Sequence, residues 1–277
     1  MNELIKRILV AVIGAPLVIF LIISGGNYFL LLALVIGMVS LWEFYTMFRQ
    51  KELFAYRVPG VVIGAAVLAT IALNLIWLPV VLLLGFAILL LLSIRKQEAI
   101  ASLNAAITVS GVLYIAVFLG ALLHLRLNFE AWYPSIQSGY AGGKLILLAF
   151  LAIWICDIAA YFCGKAFGKH KLAPSVSPKK TIEGAVSGLV GAIATAVGIG
   201  MLLLPQLPLG DLLATGLIAG VFGQMGDLVE SRFKRDAGVK DSSSLLPGHG
   251  GLLDRFDSLI FVSPFLWCWF FMTQLMV

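Results

Sequence analysis

Asp227 and Glu230 lie three residues apart, and Asp254 and Asp257 repeat that interval. On a helix such spacing puts each pair on one face. Carboxylates on two helix ends are the hard oxygen ligands that Mg²⁺ takes, and Mg²⁺ binds through one or two of them plus substrate phosphates. Arg232, Lys234, Arg235, Lys240 and Arg255 stand among the acids, where cations can hold phosphate charge that a metal leaves uncovered. Between the pairs runs Pro247-Gly248-His249-Gly250-Gly251. Its glycines can take positive φ and bring backbone N–H groups to a ligand at a helix N-terminus. His249 either donates to a phosphate or packs the loop; with no second His or Cys at ligand spacing, zinc is not indicated. The chemistry this set can support is metal-assisted binding of phosphate.

A second polar group lies upstream. Asp157 interrupts the apolar run 145–163. A carboxylate at that depth is costly unless it is paired or faces water, so it is either functional or the partner of a Lys or backbone group on another helix. The following segment, 164–181, carries Lys165, Lys169, His170, Lys171, Lys179 and Lys180 and no acid. It reads equally as attraction to anionic headgroups or as a phosphate clamp. Thr181 suits an N-cap, with Glu183 in the first turn behind it. Capping does not explain Lys179 and Lys180 at the same helix entrance, where the dipole disfavours cations unless an anion sits beside them.

The elements that must position these residues are membrane helices. Of 277 residues 61% are hydrophobic and only 12% charged, with a mean hydropathy of +1.04, which excludes a water-soluble globule. A span needs roughly 20 apolar residues. Nine runs qualify: 8–24, 27–42, 59–77, 78–94, 105–125, 145–163, 182–204, 209–226 and 252–276. The expectation is an all-α, polytopic membrane protein of about nine transmembrane helices. The first run is retained as a span because no small-residue cleavage site follows it. With the N-terminus in and the C-terminus out, all of the 19 Lys and Arg except Arg126 and Lys144 fall on the cytosolic side, as positive residues should. Residues 1–141 then form helices with few ionisable groups, and 142–277 carry the helices and cytosolic loops that hold the chemistry.

The net charge of +5 does not indicate nucleic acid, because the basic residues lie between apolar runs and form no continuous face. Anionic lipids and phosphate ligands fit better. Cys156, Cys163 and Cys268 are odd in number and lack C-x-x-C spacing, so neither a disulfide framework nor a zinc knuckle is expected. No P-loop, Rossmann, zincin or nucleophile-elbow motif occurs.

Ser231, then Lys234-Arg235, Lys240-Asp241, and finally Pro247-x-His249-Gly250-Gly251-x-x-Asp254-Arg255-x-Asp257 fill the signature of the phosphatidate cytidylyltransferases, also called CDP-diacylglycerol synthases. The chain resembles that family in these positions, and again in 157–168 and 174–184. Ile158 departs from it, standing where many relatives have Ser or Thr. The resemblance implies the reaction of CTP with phosphatidate to give CDP-diacylglycerol and pyrophosphate for phospholipid biosynthesis, with Mg²⁺ as cofactor. It implies catalytic roles for Asp227, Asp254, Lys240, Asp241, His249 and Arg255. Substrate-binding roles fall to Asp157, Lys179, Lys180, Thr181, Ser231, Lys234, Arg235, Gly250 and Gly251. The metal is expected on Asp227, Asp254 and Asp257. Partners are CTP, phosphatidate and membrane lipids, with a homodimer admissible. The location is the cell (inner or cytoplasmic) membrane, with the active site facing the cytosol. The competing readings are a CTP-dependent lipid kinase, which would release CDP, and a transporter built around an intramembrane acid.

Overall fold

A computed structural model describes residues 3–73, 75–95, 100–136, 139–246, 248 and 250–275; the side chains of residues 3–11 and Arg95 lie outside that description. In hydrocarbon every backbone N–H and C=O must be satisfied within the chain, so apolar runs of this length fold as helices. The helices are α1 (Glu3–Ser24), α2 (Gly26–Met47), α3 (Arg57–Leu73), α4 (Leu78–Arg95), α5 (Ala101–Gly111), α6 (Phe118–Trp132), α7 (Ala141–Phe167), α8 (Ile182–Leu203), α9 (Leu209–Ala237) and α10 (Leu253–Leu275). A π-helical segment, Val112–Val117, joins α5 to α6 without a break.

Among the described residues seven helical stretches are long and apolar enough to cross a membrane. Val12–Ser24 and Arg57–Leu73 are shorter apolar helices. Each of the nine expected runs falls on one of these stretches. The run 59–77 was too long, since α3 ends at Leu73 and Leu75–Trp77 form a 3₁₀ turn leading into α4.

Two departures from the sequence reading bear on the site. The chain is not wholly α: β1 (Lys171–Ala173) pairs antiparallel with β2 (Ser177–Thr181). In so short a hairpin both strands are edges, so Pro178, which lacks an N–H, is tolerated there. The second departure is the length of α9, which does not stop where hydropathy falls at 226 but continues through the charged segment to Ala237. It ends at Gly238, whose φ of 77° is the left-handed turn typical after a helix. There Gly238 N–H donates to Arg235 O (3.0 Å) and Val239 N–H to Lys234 O (2.9 Å).

By contact the chain forms two units. The first comprises Met1–Leu21, Gly26–His124 and Phe233–Phe256; the second comprises Ile22–Gly25, Leu125–Arg232 and Asp257–Val277. In the first, Phe44, Leu68, Ile115 and Leu119 are buried. Tyr45, buried beside them, donates its hydroxyl hydrogen to Thr108 O at 2.8 Å.

In the second unit α7 and α8 approach closely. A Cβ on Gly184 would come within 2.6 Å of Ala160 O, so only glycine lets the entrance of α8 lie against α7. Arg126 donates to Ile22 O (3.1 Å) and Ile23 O (3.0 Å), satisfying carbonyls at the end of α1. Asp211, in the first turn of α9, accepts from Tyr133 Oη and Trp269 Nε1, both at 2.9 Å. Burial pushes the Tyr133 hydroxyl up to about 12, so it keeps its proton and remains a donor. Asp211→Ala removes the acceptor of Trp269 Nε1–H, while Tyr133 Oη keeps its hydrogen bond with Thr273 Oγ1 at 3.0 Å, and should destabilise the protein by about 1–3 kcal/mol. Thermal unfolding in detergent measures this.

The three cysteines are free, with Cys156 buried.

Candidate active site

Thr181 ends β2 and caps α8. Its backbone is extended (φ −125°, ψ 154°), and its Oγ1 accepts from Gly184 N–H at 3.2 Å. In the first turn of α8, Glu183 accepts from His170 N–H at 3.2 Å and meets His170 Nδ1 at 2.7 Å. Ile182 N–H donates to His170 O at 2.9 Å. These contacts fasten the hairpin to the helix entrance, which fixes where Lys179 and Lys180 stand.

Lys180 forms an ion pair with Asp227 of α9. That is an anion of the kind which a lysine at a helix N-terminus requires. Around the pair is a cavity of about 580 Å³, within the usual range of ligand pockets. Asp157, Lys165, Lys171, Lys179, Lys180, Thr181 and Asp227 all contribute to its wall. Asp157 is exposed to this cavity rather than sealed among apolar helices, which relieves the cost of a carboxylate inside the apolar run.

Asp227 also shares a face of α9 with Glu230, and Asp257 of α10 joins them. One carboxylate oxygen from each lies within 4.8 Å of the other two. Glu230 is fully buried and Asp257 nearly so. Like charges this close oppose one another unless protons or a cation compensate. The donor set, three carboxylates and nothing softer, fits a hard divalent ion such as Mg²⁺. Ser231 Oγ reaches Asp227 Oδ1 only at 3.5 Å.

The other half of the signature belongs to the first unit. Asp254 opens α10 and is surrounded by donors. Its Oδ1 pairs with Lys234 Nζ at 2.7 Å, and its Oδ2 accepts from Gly251 N–H (2.7 Å), Ser242 N–H (3.0 Å) and Ser242 Oγ (3.0 Å). Gly250 takes φ 84°, as its place in the turn requires, and its carbonyl accepts from Leu246 N–H at 2.9 Å. Arg235, Lys240, Asp241 and Arg255 are exposed. Arg235 Nη1 donates to Val239 O at 3.0 Å.

Of the residues singled out from sequence, Asp157, Lys179, Lys180, Thr181 and Asp227 therefore meet at one cavity, and Asp257 stands with Asp227. Lys234, Gly251 and Asp254 meet in the signature turn. His249 lies outside the described residues. Lys165 and Lys171 line the cavity without having been assigned a role, although the charge run of 164–181 contained them. Glu230 stood among the paired carboxylates, but the resemblance put the metal on Asp227, Asp254 and Asp257, whereas Glu230 groups with Asp227 and Asp257.

A polytopic helical membrane protein with a lysine-rich cavity over buried carboxylates is of the class that handles phosphorylated substrates at a membrane. The chain belongs to the cytidylyltransferase family, whose model matches residues 5–273. It is 36% identical to phosphatidate cytidylyltransferase of Bacillus subtilis, with 96% of this chain and 97% of that protein covered. Similarity to the phosphatidate cytidylyltransferase of Staphylococcus epidermidis is 35% identity over 94% of this chain and 96% of the relative. For the Staphylococcus aureus protein of that name it is 33% over the same shares.

Proposed function

We propose that this protein is a CTP:phosphatidate cytidylyltransferase that makes CDP-diacylglycerol and pyrophosphate. The observation that carries the reading is the Lys180–Asp227 pair at a lysine-lined cavity, directly beside the carboxylate group of Asp227, Glu230 and Asp257. Phosphatidate and CTP are both polyanions, and their mutual repulsion opposes encounter. Lys179 and Lys180, helped by Lys165 and Lys171, hold phosphates in the cavity, and the Thr181 cap keeps Lys180 in place. Asp227 and Asp257, with Glu230, are the residues that hold Mg²⁺. When bound, Mg²⁺ neutralises phosphate charge and orients the phosphates for displacement. Lys234, Arg235, Lys240 and Arg255, with Asp241 and the Gly250–Gly251 turn of the same unit, bind substrate phosphate, and Ser231 serves substrate beside Asp227. Asp254 keeps its role as a catalytic aspartate and candidate metal ligand, and a cation would compete with Lys234 for its Oδ1.

The phosphate oxygen of phosphatidate attacks the α-phosphorus of CTP. The bond from that phosphorus to the bridging oxygen of the β-phosphate breaks, and pyrophosphate leaves. Positioning and charge screening supply most of the rate, as in other phosphoryl transfers. No covalent enzyme-nucleotide forms, so labelled CTP should leave no label on His249. The N-terminus and the active site face the cytosol, and residues 142–277 carry the chemistry. The size of the purified protein in detergent decides whether it works as a homodimer.

Chelation tests the metal. EDTA should abolish pyrophosphate release, and added Mg²⁺ should restore it. Full activity after exhaustive chelation would remove the divalent ion from the reaction.

A further inference from the structure

Glu43 stands near the end of α2, is 4% exposed, and belongs to the same unit as the signature turn. Its carboxylate accepts four hydrogen bonds. Oε1 takes Ser243 Oγ at 2.6 Å and Leu252 N–H at 3.0 Å; Oε2 takes Leu253 N–H at 2.7 Å and Ser242 Oγ at 3.3 Å. All four donors lie in residues 242–253, about two hundred positions away in sequence. Leu252 and Leu253 are at the entrance of α10, where N–H groups have no partner within the helix. Glu43 thus caps α10 from another helix and places a negative charge at the positive end of its dipole.

Asp254 grips the same turn from within through Ser242 and Gly251. The two carboxylates share Ser242 Oγ and leave no room for a side chain between them, since a Cβ on Gly251 would lie 2.7 Å from Glu43 Oε2. Beside Glu43, the Phe44 ring meets Phe233 edge-on at 5.3 Å, so the same turn of α2 also braces the residue preceding Lys234. Burying a carboxylate is costly. Every group that offsets the cost here belongs to the signature segment.

We infer that Glu43 is a positioning residue for catalysis: it fixes the 242–254 turn, and with it the carboxylate of Asp254, without itself touching substrate. The inference rests on the proposed cytidylyltransferase reading, and its test separates the two. Wild type, Glu43→Ala, Glu43→Gln and Tyr45→Phe are purified in detergent. They are compared by hydrogen exchange of peptides covering 242–256, by thermal unfolding, and by kcat and KM for CTP. Tyr45→Phe removes a buried hydrogen bond from the same helix and serves as the structural control.

In Glu43→Ala, exchange across 242–256 should rise at least about tenfold while peptides from α7 and α8 are unchanged. Its kcat should fall about a hundredfold, the scale of losing one preorganising group, with KM for CTP within about threefold of wild type. Glu43→Gln, which keeps one acceptor oxygen, should fall between Ala and wild type. Tyr45→Phe should lose thermal stability and keep its kcat. Unchanged exchange across 242–256, or a kcat for Glu43→Ala that falls no further than that of Tyr45→Phe, would overturn the inference. A wild-type protein that makes no CDP-diacylglycerol would instead refute the proposed function, and the exchange data would still decide whether Glu43 holds the turn.

Discussion

Asp227→Asn is expected to reduce kcat/KM by at least about 10²–10³-fold with helical content unchanged by circular dichroism. The asparagine occupies the same space but carries no charge, so it weakens two things together. Lys180 loses its ion partner, and the group with Glu230 and Asp257 loses one of its three anionic oxygens. Divalent ions bind through charge and hard oxygen, so the Mg²⁺ concentration for half-maximal activity should also rise. Turnover and Mg²⁺ titration in detergent measure both. Near-normal values would remove Asp227 from the active site.

Asp254→Asn should abolish measurable turnover while the protein still folds, and it should also lower stability. The Lys234 and Asp254 side chains are only 11% and 5% exposed, so solvent screens their interaction little. Removing one partner of such a buried pair costs about 3–5 kcal/mol. The double variant Lys234→Met with Asp254→Asn should regain much of that stability, since replacing both partners of a buried pair is often neutral. It should regain no activity. Recovery of turnover in the double variant would mean that Asp254 only balances the Lys234 charge.

The helical layout was legible because hydrocarbon leaves few alternatives: each long apolar run had to satisfy its own backbone, and each did so as a helix. What hydropathy could not show was where polar sequence continues a span. Hydropathy ends the eighth run at 226, yet Leu228, Val229 and Phe233 recur among the charges that follow, and α9 runs through them to Ala237. The hairpin was missed because a lysine- and proline-rich stretch lacks the alternation that marks strands. Its pairing is fastened instead by Glu183 and by the backbone of His170.

The site was legible in parts. Asp157 was marked by its cost in an apolar run, Lys179 and Lys180 by standing at the positive end of a helix, and Asp227 by its spacing from Glu230, and all of these are local properties. Glu43 is also expensive, but its four donors lie far along the chain in the 242–253 turn. Only the fold reveals what it is for. The family signature located Asp254 without revealing that its oxygens are spoken for by Lys234, Ser242 and Gly251.

The most direct test supplies the purified protein with Mg²⁺, phosphatidate and CTP labelled separately at the α- and γ-phosphates. The α-label should move into the lipid fraction as CDP-diacylglycerol while the γ-label appears in pyrophosphate, in equal amounts. A γ-label in the lipid with free CDP in solution, or no transfer of either label, would contradict cytidylyl transfer by this protein.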